Sequence, residues 1–412
     1  MVPIRMLTGL IAGALLLAGC GSDGPPGDAG RIDVERVGDF SASDAREIGE
    51  AVNTFGFELL ATVTDGSENT VTSPVSVATL LAMVLAGAGG DTADEMAGVL
   101  HLDESRDVRV GALLRALADT EDVTLSVSNA LWAREGTPFE QDYVDFVTGT
   151  FGATLDEADL AAQDTADEID EWVDERTEGL IDGIADDLGL PSANAVLVLL
   201  NAVYFLGEWT TPFDPGNTRD EPFSLADGSD VDVALMHLWD EDFSHTERDG
   251  YHMLRMPYGE DERYGMEVLL PDEDSSVEEM LDGLEAAEWR AAVVELSTDT
   301  FDEVAMPRFE LEWDLNLNDA LAGMGMPSAF GAGADFRPMS EVNPFLDVVV
   351  HKTYIKVDEE GTEAAAVTGG VMAESAVEEP LEFRVDRPFA FTISDQQTDA
   401  ILFLGVVADP RG

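Results

Sequence analysis

Apolar residues first recur at helical spacing and then in strand-like runs. Residues 45–60 predict an amphipathic helix whose inner face carries Ile48, Val52, Phe55 and Leu59. Residues 73–89 predict a second, mostly buried helix. Ser73 is its expected N-cap, and Pro74 occupies its first helical position. Two helices therefore open the folded part of the chain.

Strand patterns dominate the rest. Apolar runs without helical periodicity predict strands over residues 123–133, 195–205, 264–271, 348–358, 388–395 and 399–410. The run 195–205 has no polar residue before Asn201, which predicts a strand covered on both faces. The last two strands are expected to pair across Gln396-Gln397-Thr398. One amphipathic helix is predicted over residues 164–184, with Ile169, Trp172, Val173 and Leu180 directed inward.

Charge is the most unusual feature of the composition. The chain has 85 acidic and 21 basic residues, a net charge of -64, spread over its whole length. In roughly molar salt the Debye length falls to about 3 Å, which screens such self-repulsion. The composition therefore favours a salt-adapted, halophilic protein surface. With so large an excess of acidic residues, it effectively excludes nucleic-acid binding through a basic patch; the basic residues are mostly arginine, and the only lysines are Lys352 and Lys356.

The N-terminus has the pattern of an export signal. Arg5 precedes an apolar stretch too short to span a bilayer. Residues 17–20, Leu-Ala-Gly-Cys, resemble the lipobox of secreted lipoproteins, and Cys20 is the only cysteine. We expect residues 1–20 to be a lipoprotein signal peptide and residues 21–43 a flexible tether. Lipidation at Cys20 would anchor the protein on the extracellular face of the membrane, and the alternative is ordinary secretion.

Motifs for catalysis are missing from the sequence. It has no G-x-S-x-G elbow, H-E-x-x-H, Gly-rich phosphate loop or C-x-x-C. No metal-ligand spacing relates the five histidines, which are His101, His237, His245, His252 and His351. We therefore expect a protein that is not an enzyme and that has neither a metal site nor a cofactor.

A segment with few charged or bulky residues at its centre lies within the acidic sequence, between residues 357 and 380. If it formed a strand, its side chains would alternate between two faces. One face would be uniformly small and uncharged, carrying Thr362, Ala364, Ala366, Thr368 and Gly370. Such a face can be buried without burying a charge. The segment could therefore join an existing sheet as a new strand, or it could be a flexible loop.

Several separate stretches resemble the serpins, a family of serine protease inhibitors. They follow the family's order over residues 45–410: SPVS at 73–76, NAVYFLGEWTTPFD at 201–214, MPRFEL at 306–311, ADF at 334–336, HKTYIKVDEEGTEAAA at 351–366 and RPFAFTISDQQTDAILFLGVVADP at 387–410. The resemblance implies an α+β fold in one serpin domain, residues 44–412. That fold has three β-sheets with a large central sheet A, about eight or nine helices, and an exposed reactive-centre loop at about 359–382.

The resemblance also implies a mechanism. Serpins are suicide inhibitors: a serine protease cuts the loop, and the loop then inserts into the central sheet before the acyl-enzyme is hydrolysed. About fourteen inserted residues at roughly 3.3 Å each would span about 45 Å. The hinge of the loop keeps the pattern of inhibitory members, mostly small residues, at Gly361, Thr362, Glu363, Ala364, Ala365, Ala366 and Val367.

The position of the cut is open between two neighbouring bonds. Counting from Gly361 places it at Ser375-Ala376, and Glu374-Ser375 is the alternative. Cleavage after Ser375 suits a subtilisin-like or elastase-like protease, whereas cleavage after Glu374 suits a glutamyl endopeptidase. Cysteine proteases are further candidate targets. A trypsin-like target is disfavoured, because no Lys or Arg lies between Gly361 and Leu381.

The resemblance assigns further residues to two structural regions, named the shutter and the breach in this family. Asn201 and His351 are expected to hydrogen-bond across the sheet beside Ser73 and Ser76. Trp209 belongs to the breach at the top of the sheet, and Glu359 is expected to pair with Arg308, where the family more often has lysine. We expect a monomer.

One departure from the family leaves an alternative open. Gly369 and Gly370 are poor strand formers in the inserting segment and could slow insertion. The alternative function is that of a non-inhibitory serpin, acting as an extracellular binding or structural protein.

Overall fold

The protein is described by a computed structural model that covers residues 41–118, 123–362 and 380–412. Nine α-helices lie within these ranges: α1 Ala42–Val63, α2 Pro74–Leu85, α3 Gly90–Val99, α4 Arg109–Ala118, α5 Gln141–Phe151, α6 Gln163–Arg176, α7 Val277–Leu281, α8 Ala286–Glu295 and α9 Asn318–Met324. Two short 3₁₀ turns accompany them, at Pro215–Asn217 and Pro327–Phe330. Over the same residues, no helix combines the length and apolar character needed to cross a membrane.

The strands of the described residues number seventeen. They are β1 Thr70–Thr72, β2 Thr124–Arg134, β3 Thr154–Ala158, β4 Leu197–Glu208, β5 Arg219–Ser224, β6 Asp230–Leu238, β7 Glu241–Arg248, β8 Tyr251–Tyr258, β9 Tyr264–Pro271, β10 Ser297–Phe301, β11 Glu303–Pro307, β12 Phe309–Asn316, β13 Val350–Val357, β14 Gly361–Thr362, β15 Glu382–Arg384, β16 Phe389–Asp395 and β17 Ile401–Val407.

Hydrogen bonding divides the strands into four groups. The largest has the order β1-β17-β16-β9-β8-β7-β10, and a second has the order β15-β11-β6-β5. The third is β14-β4-β2-β3, and the fourth is the pair β12-β13. The third and fourth groups flank one crevice, between β4 and β13. Counted together as one interrupted sheet they give three sheets, and the expected α+β architecture with three sheets and eight or nine helices is confirmed in the described residues.

The interrupted sheet has a helix on each side. Helix α2 packs against β4 and β17 in the main core. On the other side, Ile169 and Val173 of α6 pack with Val198 and Leu200 of β4. The strand predicted from residues 195–205 is therefore covered on both faces, although Leu199, Asn201 and Val203 are only half-buried where they line the crevice.

Most predicted elements have their counterparts. The N-cap at Ser73 is present, with the hydroxyl accepting from the Ser76 N–H at 3.4 Å. Strands β16 and β17 pair antiparallel, as the last two runs predicted.

The prediction of a helix over residues 164–184 was wrong at its C-terminal end. Helix α6 stops at Arg176, and Gly179 then takes a left-handed φ of +80°, which a continuing helix cannot accommodate. Leu180 consequently lies outside the helix and lines the crevice from the following segment. Asp170 holds that segment against α6 by accepting from the Ile184 and Ala185 N–H groups at 2.7 and 2.8 Å.

Candidate functional site

The upper end of the crevice is closed by the first residues of the loop. Strand β14 pairs antiparallel with β4, with Gly361 opposite Glu208 and Thr362 opposite Gly207. Gly361 has a φ of +146°, and a Cβ there would lie 2.2 Å from the Gly207 carbonyl oxygen. Only glycine fits this close approach of two backbones. The hinge glycine predicted from sequence therefore starts a new strand beside β4.

Trp209 joins β4 to the turn that precedes β14. Its backbone N–H donates to the Glu360 carbonyl at 2.9 Å, and its indole Nε1–H donates to the Asp358 carbonyl at 3.0 Å. The indole also stacks on Tyr258, with ring centroids 4.4 Å apart. The Tyr258 hydroxyl lies 3.0 Å from the Thr362 hydroxyl. These contacts fix the position at which the loop leaves the sheet.

The carboxylate of Glu359 is buried in the same turn and has two partners. Its Oε1 accepts from the Thr218 hydroxyl at 2.6 Å, and its Oε2 lies 3.4 Å from Arg308 Nε. The structure thus brings Glu359 and Arg308 together, as the sequence comparison with the family implied. Because Arg308 is about half exposed, its ion pair contributes less than the buried hydrogen bond.

Below β14 the strands β4 and β13 face each other without a partner between them. Among the described residues β4 is hydrogen-bonded to β2 and β14, and β13 to β12. A cavity of about 60 Å³ lies between them and is lined by residues of β4, β13, α2 and the segment after α6. All four predicted shutter residues line it: Ser73, Ser76, Asn201 and His351.

His351 links β13 to the start of α2. Its Nε2 accepts from the Ser73 N–H at 2.9 Å, so the ring is neutral at this nitrogen. Burial lowers the pKa of His351 to about 4, because the charged imidazolium would have to be desolvated. The hydrogen bond and the low pKa support each other, since protonation of Nε2 would remove the acceptor.

Asn201 lies at the cavity and hydrogen-bonds to the neighbouring strand β2. Its Nδ2 donates to Asn129 Oδ1 on β2 at 2.7 Å, and Asn129 Nδ2 in turn donates to the Phe151 carbonyl at 3.0 Å. The Asn201 Oδ1 is buried and accepts no hydrogen bond. Both predicted residues thus make hydrogen bonds beside Ser73 and Ser76, His351 with Ser73 itself and Asn201 with Asn129 on the neighbouring strand. Asn129 was missed, because its role depends on the register between β2 and β4.

Two side chains of β13 that sequence reasoning missed also hold the crevice. The Lys352 ammonium donates to the Gly183 carbonyl at 3.0 Å and lies 2.6 Å from Asp187 Oδ2, both in the segment after α6. The Thr353 hydroxyl donates to the Val71 carbonyl at 2.6 Å. The only sequence signal was that Lys352 is one of two lysines in the chain.

The remaining predicted residues lie outside the described ranges. These are the hinge residues Glu363, Ala364, Ala365, Ala366 and Val367, the cleavage candidates Glu374, Ser375 and Ala376, and the lipidation candidate Cys20. On the far side of the loop, Leu381 and β15 lie against β11, with the Leu381 N–H donating to Asp302 at 2.8 Å. Within residues 41–118, 123–362 and 380–412, no three acidic, histidine or cysteine side chains are grouped as metal ligands.

Known proteins are similar to this chain in sequence and in fold. The family model described as serpin (serine protease inhibitor) matches residues 50–410. An uncharacterised serpin-like protein of Thermococcus kodakarensis is 37% identical over 372 residues, covering 88% of this chain and 85% of that protein. Leukocyte elastase inhibitor of Xenopus tropicalis is 33% identical, covering 88% of this chain and 99% of that protein.

A solved structure gives the same result. The thermophilic serpin tengpin in its native state superposes with a TM-score of 0.79 at 26% identity, covering 92% of this chain and 99% of that one. The matched family model, the identity and coverage of the relatives, and the shared fold lead to one conclusion: the chain belongs to the serpin family of serine protease inhibitors.

Proposed function

We propose that this protein is a suicide inhibitor of serine-type endopeptidases, which inserts its cleaved loop into the crevice between β4 and β13. The observation that carries the proposal is the crevice itself. It is continuous with β14, so the first two loop residues already occupy the position of the missing strand. The next residues of the cleaved loop need only extend an existing ladder.

The pairing of β14 fixes the register of that extension. Thr362 is opposite Gly207, so each further loop residue moves one residue back along β4. Residues directly opposite each other in a sheet share a face. The facing pairs are then Ala364 with Phe205, Ala366 with Val203, Thr368 with Asn201, Gly370 with Leu199 and Met372 with Leu197.

This register places the small face of the loop against the core. Phe205 belongs to the main apolar cluster, and Leu199 and Val203 pack against it. A small, uncharged side chain can enter beside them, whereas a bulky or charged one would have to displace packed atoms or bury a charge. Glu363 would face the opposite side. The small residues of the core-facing side, Thr362, Ala364, Ala366 and Thr368, thus match the space beside Phe205, Val203 and Asn201.

Thr368 would also give Asn201 a partner. Asn201 Oδ1 is a buried acceptor without a hydrogen bond, and a buried polar atom without a partner costs roughly 1–3 kcal/mol. A threonine hydroxyl opposite it can donate to it. We infer that insertion satisfies this acceptor, so that the unsatisfied Asn201 Oδ1 favours the inserted state.

Formation of the inserted strand provides the free energy that traps the protease. Insertion as far as Leu197 would place Met372 about 33 Å along β4 from Thr362, at roughly 3.3 Å for each of ten steps, and would draw the acylated Glu374 or Ser375 after it. New ladder hydrogen bonds form on both edges of the strand. The attached protease is carried along, and a misplacement of its catalytic groups by about 1 Å can cost roughly a hundredfold in rate.

The test is to mix the purified protein in molar salt with three proteases: an elastase-like, a subtilisin-like and a glutamyl-specific enzyme. We expect a covalent complex that survives a denaturing gel with at least one of them. The mass of the released C-terminal peptide identifies the cut: a peptide beginning at Ala376 indicates the Ser375-Ala376 bond, and one beginning at Ser375 indicates Glu374-Ser375. Fast cleavage within the loop by these proteases, without any complex, would favour the non-inhibitory alternative.

We also propose where the inhibitor works. The lipobox-like residues 17–20 support lipid attachment at Cys20 on the outer face of the membrane, and the net charge of -64 supports a salty medium. Exchange of Cys20 for Ser is expected to move the protein from the detergent phase to the aqueous phase on extraction. A wild-type protein that already partitions into the aqueous phase would contradict the anchor.

A further inference from the structure

A groove lined by acidic and tryptophan side chains lies between α6 and strand β3. Its volume is about 420 Å³, within the roughly 300–1,000 Å³ of pockets that hold small ligands. Its described lining residues are mostly acidic, with two tryptophans and no basic residue among them. The groove shares no lining residue with the crevice between β4 and β13, so the proposed mechanism of inhibition leaves it unused.

Both walls of the groove carry carboxylates. Strand β3 is, in the described residues, the edge of its group, and its Asp156 and Glu157 are exposed. In α6, Glu168, Glu171 and Glu175 follow one another at spacings of three and four residues, which places them on one face of the helix. Like charges at these spacings destabilise a helix. A cation held between the two walls would relieve this repulsion.

Trp132 distinguishes this groove from the other acidic surfaces of a chain with a net charge of -64. It lies on β2 beside Asp156, and its side chain is only 8% exposed. Its indole Nε1–H is buried and has no acceptor among the described residues. Buried N–H groups almost always have a hydrogen-bond partner. Because Trp132 lines the groove, an oxygen atom of a bound molecule can supply the acceptor that the chain does not.

Trp172 offers a second means of recognition. It is half-buried on α6 and lines the groove. The guanidinium carbon of Arg176 lies 5.8 Å from the centroid of its ring, so the chain itself already places a guanidinium over this indole. Arginine also has the planar fork that pairs bidentately with carboxylates. The groove therefore combines the two kinds of group that bind arginine, an aromatic ring and carboxylates.

These features together select one class of ligand. A metal ion or a polyamine could neutralise the carboxylates, but neither itself carries a hydrogen-bond acceptor for the Trp132 Nε1–H. A free amino acid carries an acceptor carboxylate, which the acidic side chains of the groove would repel. An arginine within a peptide brings both parts without a negative charge, because its side chain is cationic and its backbone carbonyls are acceptors.

We propose that the groove formed by Trp132, Trp172 and the acidic side chains of β3 and α6 is a docking site for an arginine-bearing segment of a partner protein. The guanidinium of that segment lies among the glutamates of α6, and a neighbouring backbone carbonyl accepts from the Trp132 Nε1–H. Because the groove and the crevice share no lining residue, docking does not depend on the suicide mechanism.

The test is an NMR titration of the purified protein, isotopically labelled at its tryptophan indole nitrogens, with a capped Gly-Arg-Gly-Arg-Gly peptide. The same peptide with glutamine in place of arginine is titrated in parallel, and so is spermidine. Molar salt reduces the Debye length to about 3 Å, which suppresses the general attraction of cations to the acidic surface. The indole signal of Trp132 is identified by its loss in Trp132→Phe.

Two double variants of α6 provide the matched comparison. Glu168→Gln/Glu171→Gln removes two charges from the groove. Asp167→Asn/Asp174→Asn removes two exposed charges of the same helix that do not line the groove, so the two variants have the same net charge. We expect the arginine peptide to shift the Trp132 indole signal saturably. Binding should weaken about tenfold in the glutamate variant and stay within about twofold of wild type in the aspartate variant.

Trp132→Phe keeps an aromatic ring but removes the donor, and it should weaken binding about threefold, as followed through the Trp172 signal. Equal binding of the arginine and glutamine peptides, or no binding of either, would overturn the proposal. Equal weakening by the two double variants would overturn it too, because the attraction would then belong to the whole acidic surface. Spermidine binding as tightly as the arginine peptide would also overturn it, since the groove would then be a site for simple polycations.

Discussion

The upper end of the crevice and its middle are held closed in different ways. At the upper end, β14 is hydrogen-bonded to β4, and Trp209 donates from both its backbone and its indole to the turn before β14. In the middle, β13 is held by side-chain hydrogen bonds: His351 bonds to Ser73, and Lys352 bonds to Gly183 and Asp187.

This difference suggests two roles: residues at the upper end position the inserting strand, and residues in the middle resist opening of the sheet. An inserting strand keeps the backbone bonds at the upper end and extends them, so residues there determine register. The side-chain bonds in the middle join β13 to the start of α2 and to the segment after α6, so under the proposed mechanism we expect residues there to determine how easily β13 moves away from β4. Substitutions at the two places should consequently have different effects on inhibition and stability.

The largest effect is expected from a charge on the core-facing side of the loop. Ala364→Arg would place a guanidinium opposite Phe205, in the main apolar cluster, at a cost of several kcal/mol. We expect the loop to be cut normally but the yield of covalent complex to fall about a hundredfold, as measured by gel densitometry at fixed protease. Ala365→Arg is the matched control, because its side chain would face the other way. Similar losses in both variants would show that the register is wrong.

The sequence predicted local features better than it predicted partners across the fold. The Ser73 cap and the β16–β17 hairpin depend on neighbouring residues and were confirmed. The bond from Asn201 to Asn129 depends on strand register, which is a tertiary property. The end of α6 was missed because the apolar spacing continues to Leu180, although Gly179 has already left the helical conformation. The charge pair of Glu359 was accessible only through the family resemblance.

In the middle of the crevice, acid should weaken the closed state through His351. The folded chain holds this ring neutral with a pKa of about 4, against 6.5 for an exposed imidazole. Between these pH values the unfolded chain binds a proton that the folded chain does not. The free energy of unfolding should therefore keep its full value above pH 6.5. It should fall by up to about 3 kcal/mol as the pH is lowered from 6.5 to 4.

Denaturant titrations at several pH values measure this effect. Because carboxylates also titrate in this pH range, wild type is compared with His351→Gln at each pH. The glutamine can still accept from Ser73 but does not titrate. The difference in stability between the two proteins should therefore shrink or change sign as the pH is lowered. A difference independent of pH between 6.5 and 4 would contradict the buried neutral histidine.

At the upper end, Gly361→Ala should cost about 2 kcal/mol of stability, from the strained φ and the contact with the Gly207 carbonyl. The substitution should also displace the start of β14, so that more inhibitor is cleaved without trapping the protease. Thermal unfolding and the ratio of cleaved to complexed inhibitor measure the two effects.

Gly228→Ala controls for backbone strain alone. Gly228 also has a left-handed φ, but no atom lies within 4 Å of the position that its Cβ would take. Equal trapping by both variants would show that close packing at Gly361 is unimportant for register.

The smallest effect is expected at Lys352, and it should have opposite signs for stability and inhibition. Lys352→Met removes the bonds that hold β13 to Gly183 and Asp187, and we expect these bonds to resist opening of the crevice. Because Asp187 is partly exposed, the loss of stability should be about 1 kcal/mol or less. Trapping should become slightly more efficient, since opening requires less work.

Lys356→Met is the matched control on the same strand, because Lys356 pairs at 3.4 Å with Asp358 just beyond β13, not across the crevice. If Lys352→Met trapped the protease less efficiently than Lys356→Met, the bond would be guiding the loop rather than resisting it.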